Sequence, residues 1–373
     1  MRVLMISKAL VAGTSQRKLE ELAKCPGIEL TLVTPPYWHH DDGSKQQLER
    51  LYTQGYNMIV TPMALNGNYH LHFYPELGRI MREVRPEVVH IDEEPYNFST
   101  FQAMHLAKRQ KAHALFFTWQ NLYRPYPPPF RQLELYNYHN ASAALAGNRD
   151  ASEVLKRKGY KGSIHIIPQF GFDTDIYKRS TPRLPRKPDD PFTIGFLGRL
   201  KEEKGLPLIV EALTYLPENC RAVFIGNGPM KSVLEEQAQR LGVADRVTFK
   251  PGVPTSQVPK EIELWDVHVL PSITRPNWIE QFGRTLAEAM SCEVPVIGST
   301  CGEIPYVISD AGLIFKEGDA RDLSSCIHKL LDDPQLYADL AQRGRQRVLE
   351  NYTQEQIAKQ TYEVYLEMMN RTH

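Results

Sequence analysis

The sequence predicts an α/β protein made of two domains, each with a parallel sheet covered by helices. The chain has 373 residues, which at about 100 to 200 residues per domain corresponds to two or three domains. Apolar runs of strand length alternate with helical patterns from end to end, as is typical of parallel sheets with helices on both faces. A charged, proline-rich segment, residues 177–191, interrupts the alternation near the middle of the chain.

Composition and charge exclude several classes of protein. Apolar residues make up 42% of the chain and charged residues 24%, which favours packed cores over disorder. Lys and Arg together number 44, as do Asp and Glu, so no net charge favours nucleic acid as a partner. The five cysteines are scattered, which indicates a reducing cytoplasm rather than a disulfide framework or a zinc site. No apolar stretch approaches the roughly 18 residues of a membrane-spanning helix.

The first half of the alternation predicts a Rossmann-like domain over residues 1–177. Its strand candidates are residues 2–7, 28–35, 57–63, 88–92, 114–119, 143–148 and 163–169, with helical patterns over 15–24 and 101–111. The proline-rich segment then predicts a linker over residues 178–191.

A second alternation predicts another Rossmann-like domain over residues 192–352. The strand candidates are FTIGFLGR, RAVFIGN, VTFKPG, VHVLPS and PVIGST, with helices beginning near Lys204, Pro229 and Gly283. Thr353 and Gln356 form a capping-box pattern, which predicts an amphipathic closing helix over residues 353–373. Because parallel sheets bind ligands at the carboxyl ends of their strands, we expect the active site in a cleft between the domains.

The segment FLGRLKEEKG places two cations, Arg199 and Lys204, at the carboxyl end of the first strand of the second domain. An arginine fork and a lysine ammonium together suit a diphosphate. The alternative is a solvated turn in which these cations pair with Glu202 and Glu203.

The segment VHVLPSITRPNWIEQFGRTLAEAMSC places Glu280 in a loop and Glu288 in the following helix. Phe282 and Gly283 stand where that helix begins, so free amide groups and the helix dipole would face an anion. Glu288 can accept hydrogen bonds from vicinal hydroxyls, as a carboxylate does with a ribose. The alternative makes Glu280 a capping carboxylate and Glu288 a helix surface residue.

Four segments of the second domain, GRLKEEKG, IGNGP, EQFGRTLAEAM and VPVIGSTCGEIPYVI, in this order resemble the retaining nucleotide-sugar glycosyltransferases of family 4. The resemblance implies the GT-B fold, in which two Rossmann-like domains face each other and a C-terminal helix crosses back to the first. It also implies that Arg199 and Lys204 hold the donor diphosphate, that Glu288 binds the ribose and that Glu280 contacts the donor sugar. The resemblance thus assigns catalysis to Glu280, Arg199 and Lys204.

The same resemblance implies further donor-binding residues. The backbone around Phe282, Gly283, Arg284 and Thr285 would support the sugar and phosphates, and residues 249–252 would lie near the base. We expect no cofactor and no metal, because GT-B enzymes usually act on the nucleotide diphosphate sugar alone.

The first domain departs from the family pattern. Where the family has a Gly-Gly loop after the first strand, this chain has ALVAGTSQR, and we expect Gly13 to approach the donor phosphates. Where the family often has a histidine, the segment FFTWQN has Gln120. A glutamine can hydrogen-bond a sugar hydroxyl but cannot titrate, so an acid–base role of that histidine does not transfer.

We expect the acceptor to bind to Trp119, Gln120 and Asn121, together with His90 of the segment VVHID. The alternative for His90 is a strand-end histidine without a role in binding. The polar residues 39–42, of sequence HHDD, could mimic a metal cluster, but a solvated loop is the better interpretation.

The predicted function is transfer of a sugar, with retention at the anomeric centre, from a nucleotide diphosphate sugar to a saccharide, lipid-linked or small-molecule acceptor. Glycan or polysaccharide biosynthesis is the expected setting. Two alternatives remain open: a sugar-nucleotide epimerase of the same fold, and a catalytically silent nucleotide-sugar-binding protein.

A last expectation concerns the membrane. Basic residues near the ends of two first-domain helices, with the aromatic and proline-rich segment 119–138, could form a rim that contacts an anionic membrane surface. These residues are Arg79, Arg82, Arg85, Lys108, Arg109 and Lys111. We therefore expect a cytoplasmic protein and consider peripheral contact with the inner face of a membrane, the alternative being ordinary surface charge.

Overall fold

The computed structural model describes residues 1–183 and 190–370 of the chain. The chain divides into two compact units. The first unit comprises Met1–Gly171 and the last part of the chain from Gln354, and the second unit comprises Phe172–Thr353.

The first unit contains a parallel sheet and a small hairpin. Its strands are β1 Arg2–Ile6, β2 Glu29–Thr34, β3 Tyr37–His39, β4 Lys45–Gln47, β5 Asn57–Val60, β6 Val88–Ile91, β7 His113–Thr118, β8 Ala143–Ala146 and β9 Ser163–Ile166. Its helices before the second unit are α1 Arg17–Ala23, α2 Leu77–Val84, α3 Phe98–Arg109, α4 Phe130–Asn140 and α5 Arg149–Arg157. Seven strands pair in the order β5-β2-β1-β6-β7-β8-β9, and all seven predicted strands are confirmed in this sheet.

The central strands of this sheet are buried on both faces. In β1, Leu4 and Ile6 belong to the core on one face, whereas Val3 and Met5 belong to the core on the other. Side chains alternate between the faces of a strand, so a strand covered on both sides has a continuous apolar sequence such as RVLMI.

The hairpin corrects one part of an expectation. Residues 39–42 were expected to form a solvated loop; His39 instead ends β3, which pairs antiparallel with β4, whereas residues 40–42 lie in the turn and residues 41–42 are exposed. The turn is held by the His40 backbone N–H, which donates to the Ser44 carbonyl at 2.9 Å. Trp38, at the centre of β3, is buried. Three-residue strands are too short for the periodicity of the sequence to indicate them.

The second unit contains a six-stranded parallel sheet. Its strands are β10 Phe192–Leu197, β11 Cys220–Ile225, β12 Val247–Lys250, β13 Val267–Leu270, β14 Val296–Ser299 and β15 Leu313–Phe315. Its helices are α6 Pro207–Ala212, α7 Met230–Arg240, α8 Val258–Ile262, α9 Arg284–Ser291, α10 Ile304–Ile308, α11 Ala320–Asp332 and α12 Pro334–Asn351. The predicted α/β class, with two Rossmann-like units, is confirmed.

Strand order locates the sites. The second sheet has the order β12-β11-β10-β13-β14-β15, in which the chain moves outward from β10 in one direction and then returns to its other side. The first sheet does the same around β1 and β6. In such sheets ligands bind beyond the carboxyl ends of the two strands where the order reverses. We therefore expect ligands to bind at the loops after β1, β6, β10 and β13.

The closing helix, α13 Gln354–Asn370, belongs to the first unit. Its buried face contains Ile357, Val364, Tyr365 and Met368, which pack in one core with Val3 of β1. Apolar residues at these intervals lie on one side of a helix. The predicted return of the last helix to the first unit is confirmed.

The division between the units falls before the expected domain boundary at residue 177. The ring of Phe172 stacks on that of Phe282 with centroids 6.0 Å apart, and the Tyr177 carbonyl accepts a hydrogen bond from the Ser291 hydroxyl at 2.7 Å. Residues 172–177 therefore pack on the second unit. The linker over 178–191 stays a prediction, because residues 184–189 lie outside the described part of the chain.

Within residues 1–183 and 190–370, no helix has the length and apolar character needed to cross a membrane.

The buried pair of His90 and Tyr365 provides a test of how α13 is held. The Tyr365 hydroxyl lies 2.7 Å from Nδ1 of His90, and no described residue bonds the other ring nitrogen. We expect Tyr365→Phe to lower the free energy of unfolding by about 1–3 kcal/mol, because it leaves a buried imidazole without a partner.

The matched control is Tyr362→Phe, also on α13, whose hydroxyl donates to the Pro26 carbonyl at the surface. This control should change the free energy of unfolding by less than about 0.5 kcal/mol. Urea denaturation of both variants measures the difference. Equal losses would show that the buried hydrogen bond does not stabilise the helix.

Candidate functional site

The loop after β10 carries Arg199 and is supported by close contact with the loop after β11. The Leu200 N–H donates to the Asn227 carbonyl at 2.9 Å. Gly226 and Gly228 permit this approach, since a Cβ at either position would collide with a carbonyl oxygen of the first loop. Arg199 is exposed, and among the residues that the structure describes its guanidinium has no ion-pair partner. It is therefore available to a ligand.

Lys204 and Glu280 form an ion pair beside the point where the strand order of the second sheet reverses. Nζ of Lys204 lies 2.6 Å from Oε2 of Glu280, and the Ser272 hydroxyl donates to the same oxygen at 2.8 Å. Gly205 has φ +65°, and a Cβ there would collide with the Pro271 carbonyl oxygen. Glycine thus keeps the loop of Lys204 against the loop after β13. The sequence predicted both charged residues for the site, but not their pairing.

The observed pairing differs from the alternative in which Lys204 pairs with Glu202 or Glu203. Glu202 is instead paired with Arg275 at 2.6 Å. Only 21% of the Lys204 side chain and 9% of the Glu280 side chain are exposed. An incoming phosphate therefore reaches this ammonium only by sharing it with Glu280 or by displacing that carboxylate.

Helix α9 begins next to this pair without a side-chain cap. Its N-cap is Gly283, with φ +79°, where a Cβ would lie 2.8 Å from Cδ2 of Leu270. A glycine cap leaves the first amide groups of the helix without a side-chain acceptor, which favours an anion there. Arg284 is exposed, whereas Phe282 is buried and stacks on Phe172. Phe282 thus shapes the turn from within the core.

Two other side chains of α9 are directed inward. Glu288 has 9% of its side chain exposed and is hydrogen-bonded to Tyr177. Burial raises the pKa of Glu288, although Arg284 acts in the opposite direction. The alternative of a solvated helix surface residue is therefore wrong for Glu288. The Thr285 hydroxyl lies 2.9 Å from Nε2 of His268, so its backbone rather than its side chain is available to a donor.

Two predicted residues of the first unit are engaged within the protein. The Gly13 N–H donates to Oε2 of Glu49 at 2.8 Å, and a Cβ at Gly13 would lie 2.6 Å from Cγ of Leu51. The Gly13 N–H is thus already bonded within the protein, and an approach of Gly13 to the donor phosphates stays a prediction. His90 is fully buried, and burial holds its pKa well below the ordinary value. Its hydrogen bond to Tyr365 contradicts acceptor binding and agrees with the alternative of a strand-end histidine.

The other predicted acceptor residues, Trp119, Gln120 and Asn121, lie together in the loop after β7. The Trp119 backbone N–H donates to Oε1 of Glu94 at 2.8 Å. Oε1 of Gln120 accepts a hydrogen bond from Nζ of Lys158 at 2.8 Å. The structure thus brings this loop to the carboxyl edge of the first sheet, and its role in acceptor binding stays a prediction.

Three charged residues beside Gln120 were not predicted. Oε2 of Glu94 accepts a hydrogen bond from the Thr118 hydroxyl at 2.6 Å. Glu134 and Lys158 form an ion pair of 2.6 Å whose side chains are 0% and 2% exposed. The acidic run DEE directly after β6 was a usable signal for Glu94. Glu134 lies within α4 and Lys158 directly follows α5, and neither position carried such a signal.

The neighbouring carboxyl groups of Glu93 and Glu94 have pKa values that lie far apart. Burial raises the pKa of Glu94 to about 7, an effect that the hydrogen bond from Thr118 only partly offsets. Burial also acts on Glu93, but the Lys8 ammonium and His72 outweigh it and lower the pKa to about 2. Near neutral pH Glu93 is ionised, while Glu94 can both release and take up a proton.

The basic residues of the expected membrane rim are divided. Arg79 is paired with Glu76 and Glu83 of its own helix at 2.6 and 2.9 Å. One pocket at the amino ends of the strands is lined by Arg2, Arg82, Arg85 and Lys111, among others. Residues 125–129 instead follow the carboxyl end of β7, at the opposite edge of the sheet. Membrane contact stays a prediction.

In the described part of the chain, no group of three or more His, Cys, Asp or Glu side chains is placed to hold a metal ion. Within residues 39–42, Nε2 of His40 is hydrogen-bonded to Oε1 of Gln46 at 3.2 Å. The expectation of a reaction without metal stays a prediction.

Two solved structures share the architecture of this chain over nearly its whole length. A glycosyltransferase from Rickettsia africae has a TM-score of 0.72 at 17% identity, with 100% of this chain and 99% of that chain covered. The Anabaena protein HepE, solved in complex with UDP, has a TM-score of 0.68 at 17% identity, with 98% and 100% covered. The chain thus has the predicted GT-B fold.

The second unit is similar to a known family. Residues 178–347 match the glycosyl transferases group 1. A GDP-mannose-dependent alpha-(1-6)-phosphatidylinositol monomannoside mannosyltransferase of Mycolicibacterium smegmatis is 31% identical over 50% of this chain and 52% of that protein. A D-inositol 3-phosphate glycosyltransferase of Xylanimonas cellulosilytica is 30% identical over 55% and 52%. The chain spans about half the length of these relatives. The predicted resemblance to glycosyltransferases is confirmed, while glycosyl transfer by this chain and its place in family 4 stay predictions.

The raised pKa of Glu94 predicts how stability changes with pH. The folded protein binds this proton up to about pH 7, whereas an exposed glutamate releases it near pH 4.3. The stabilisation is therefore complete below about pH 4 and is lost as the pH rises through 7, a loss of ~3 kcal/mol. Glu94→Gln cannot titrate, so its stability should fall less between pH 5 and 8 than that of the wild type.

Urea unfolding at a series of pH values measures this difference. The control is Glu83→Gln, an exposed carboxylate of α2, which should keep the wild-type profile. If Glu94→Gln also kept it, the carboxyl of Glu94 would titrate as an exposed group does.

Proposed function

We propose that the protein transfers a sugar from a nucleotide diphosphate sugar to a hydroxyl of a saccharide, lipid-linked or small-molecule acceptor, with retention at the anomeric centre. The observation that carries this proposal is the Lys204–Glu280 pair beside the uncapped start of α9. It lies where doubly wound sheets bind ligands. The match of residues 178–347 to the glycosyl transferases group 1 supports the same assignment.

In the proposed donor site, different charged groups bind the diphosphate, the ribose and the sugar. Arg199, exposed and without an ion-pair partner in the described part of the chain, and Lys204 neutralise the diphosphate. The first amide groups of α9 add partial positive charge at the same place. The Glu288 carboxylate, which is bonded to Tyr177 in the structure, also accepts hydrogen bonds from the ribose hydroxyls. Glu280 holds a hydroxyl of the transferred sugar as its bond to Lys204 loosens.

In the proposed reaction, the acceptor hydroxyl attacks the anomeric carbon from the same face as the departing diphosphate. The acceptor oxygen forms a bond to the anomeric carbon, the bond to the diphosphate oxygen breaks, and the leaving diphosphate takes the acceptor proton. Positive charge on Arg199 and Lys204 stabilises the diphosphate as its negative charge develops. The pathway is glycan or polysaccharide synthesis, and no metal is part of the proposal.

Nucleotide binding is the first test. We expect UDP, GDP or ADP to raise the thermal midpoint of the wild type, because ligand binding stabilises the folded state. Arg199→Ala and Lys204→Ala should each weaken that binding by about 1–3 kcal/mol, the worth of a charge-assisted hydrogen bond. Glu288→Ala should also weaken it, while Glu280→Gln should lower turnover more than nucleotide affinity.

Lys201→Ala is the matched control for the nucleotide test. Its ammonium, in the same loop, lies 3.9 Å from Glu203, and the side chain is 43% exposed. Wild-type affinity in Arg199→Ala and Lys204→Ala would place the donor site elsewhere.

The stereochemical course is the second test. With the donor identified by its nucleotide, NMR of the product should show the anomeric configuration of the donor sugar. An inverted centre would refute retention. Conversion of the sugar nucleotide in the absence of any acceptor would favour an epimerase instead.

A further inference from the structure

The side-chain amide of Gln120 is held in one orientation. Nζ of Lys158 lies 2.8 Å from Oε1 of Gln120. A lysine ammonium only donates hydrogen bonds, so the amide oxygen must face it and the amide nitrogen must face away. That nitrogen, Nε2, is buried, and no described residue accepts a hydrogen bond from it. Gln120 therefore presents a donor whose partner is missing from the chain described.

Lys158 is itself fixed in place. Its ammonium lies 2.6 Å from Oε1 of Glu134 and 4.7 Å from the ring centroid of Tyr126. Glu134 is held in turn by Arg131 at 2.6 Å. A buried ion pair contributes little net stability, since desolvation of the charges offsets their attraction. Its consequence here is geometric, because the lysine cannot turn away from Gln120.

A hydrogen-bond acceptor, the carboxyl of Glu94, is linked through Thr118 to the backbone of Gln120. The Thr118 hydroxyl donates to Oε2 of Glu94 at 2.6 Å and accepts from the Gln120 backbone N–H at 3.0 Å. One hydroxyl thus ties Glu94 to Gln120. Glu94 is half-buried as a residue, and its carboxyl retains lone pairs beyond the two bonds that it accepts. The Gln120 amide donor and the Glu94 acceptor, joined through one hydroxyl, match a ligand hydroxyl, which accepts and donates at the same oxygen.

We propose that Lys158, held by Glu134, is a positioning residue that fixes Gln120 as a hydrogen-bond donor to a hydroxyl of the acceptor sugar, with Glu94 accepting from that hydroxyl. This inference rests on the proposed glycosyl transfer and adds the part of the first unit that recognises the acceptor. It gives Gln120 a neutral, permanently oriented contact in the place where a histidine would offer a titrating one.

The test is a double-mutant cycle on the KM for the acceptor. Gln120→Glu keeps the shape of the side chain and a partner for Lys158, but it removes the amide donor. Lys158→Met removes the group that orients the amide. Each variant should raise the acceptor KM about tenfold with donor KM within twofold of wild type, and the double variant should match the single ones. Lys158→Arg, which still donates, should recover most of the affinity.

The control is Lys156→Met, which removes a lysine paired with Glu153 on the surface of α5. It should leave both KM values unchanged. A double variant whose KM increase equals the product of the single increases would overturn the inference. So would a Lys158→Met protein that loses thermal stability alone, or a rise in the donor KM in place of the acceptor KM.

The orientation of the amide is measured apart from activity. In ¹⁵N-labelled protein, the side-chain amide signal that disappears in Gln120→Glu belongs to Gln120, and Lys158→Met should shift it. An unshifted signal would contradict the positioning role. Nucleotide binding separates the two proposals: a wild type that binds no nucleotide refutes the proposed function, whereas normal binding with an additive cycle refutes this inference alone.

Discussion

The reversal of strand order in each sheet is the constraint on which the polar sites depend. β1 and β6 are neighbouring parallel strands, as are β10 and β13, and the carboxyl ends of each pair lie at the same edge of the sheet. The chain leaves the two strands of a pair in opposite directions, so the loops after them diverge and leave backbone polar groups uncovered. Lysine and glutamate meet at both places: Lys8 pairs with Glu93 after β1 and β6, and Lys204 pairs with Glu280 after β10 and β13. Charges that are far apart in sequence thus become neighbours because of topology alone.

Burial gives these pairs different properties. Glu93 is buried yet ionised, because Lys8 compensates for the lost water. Burial outweighs the weaker effect of Lys8 on the adjacent Glu94, which keeps its proton to higher pH. Glu134 and Lys158 are both nearly inaccessible to solvent. Lys204 and Glu280 retain more contact with water. The Lys204–Glu280 pair can therefore exchange partners when a ligand binds, whereas the Glu134–Lys158 pair keeps its neighbours fixed.

The sequence predicted the features that depend on neighbouring residues, namely the strands and the charged residues near strand ends and in the helix that follows. The strands were recognisable because both faces of each sheet are covered. Lys204 and Glu280 stood out because they follow strand ends, and Glu288 because it lies in the helix after Glu280. The partners of Gly13, His90 and Gln120 were not predictable, since Glu49, Tyr365 and Lys158 reach them from distant parts of the chain. Knowing the order of strands and loops does not show which of these side chains meet, because their contacts depend on how the chain packs.

The return of α13 to the first unit has a consequence for synthesis of the protein. The face of the first sheet that contains Val3 is covered by Ile357, Val364 and Tyr365. All of the second unit must therefore leave the ribosome before this face can close. Until then a nascent chain exposes apolar surface of the kind that chaperones bind, and the second unit, whose sheet is continuous in sequence, can complete its own core first.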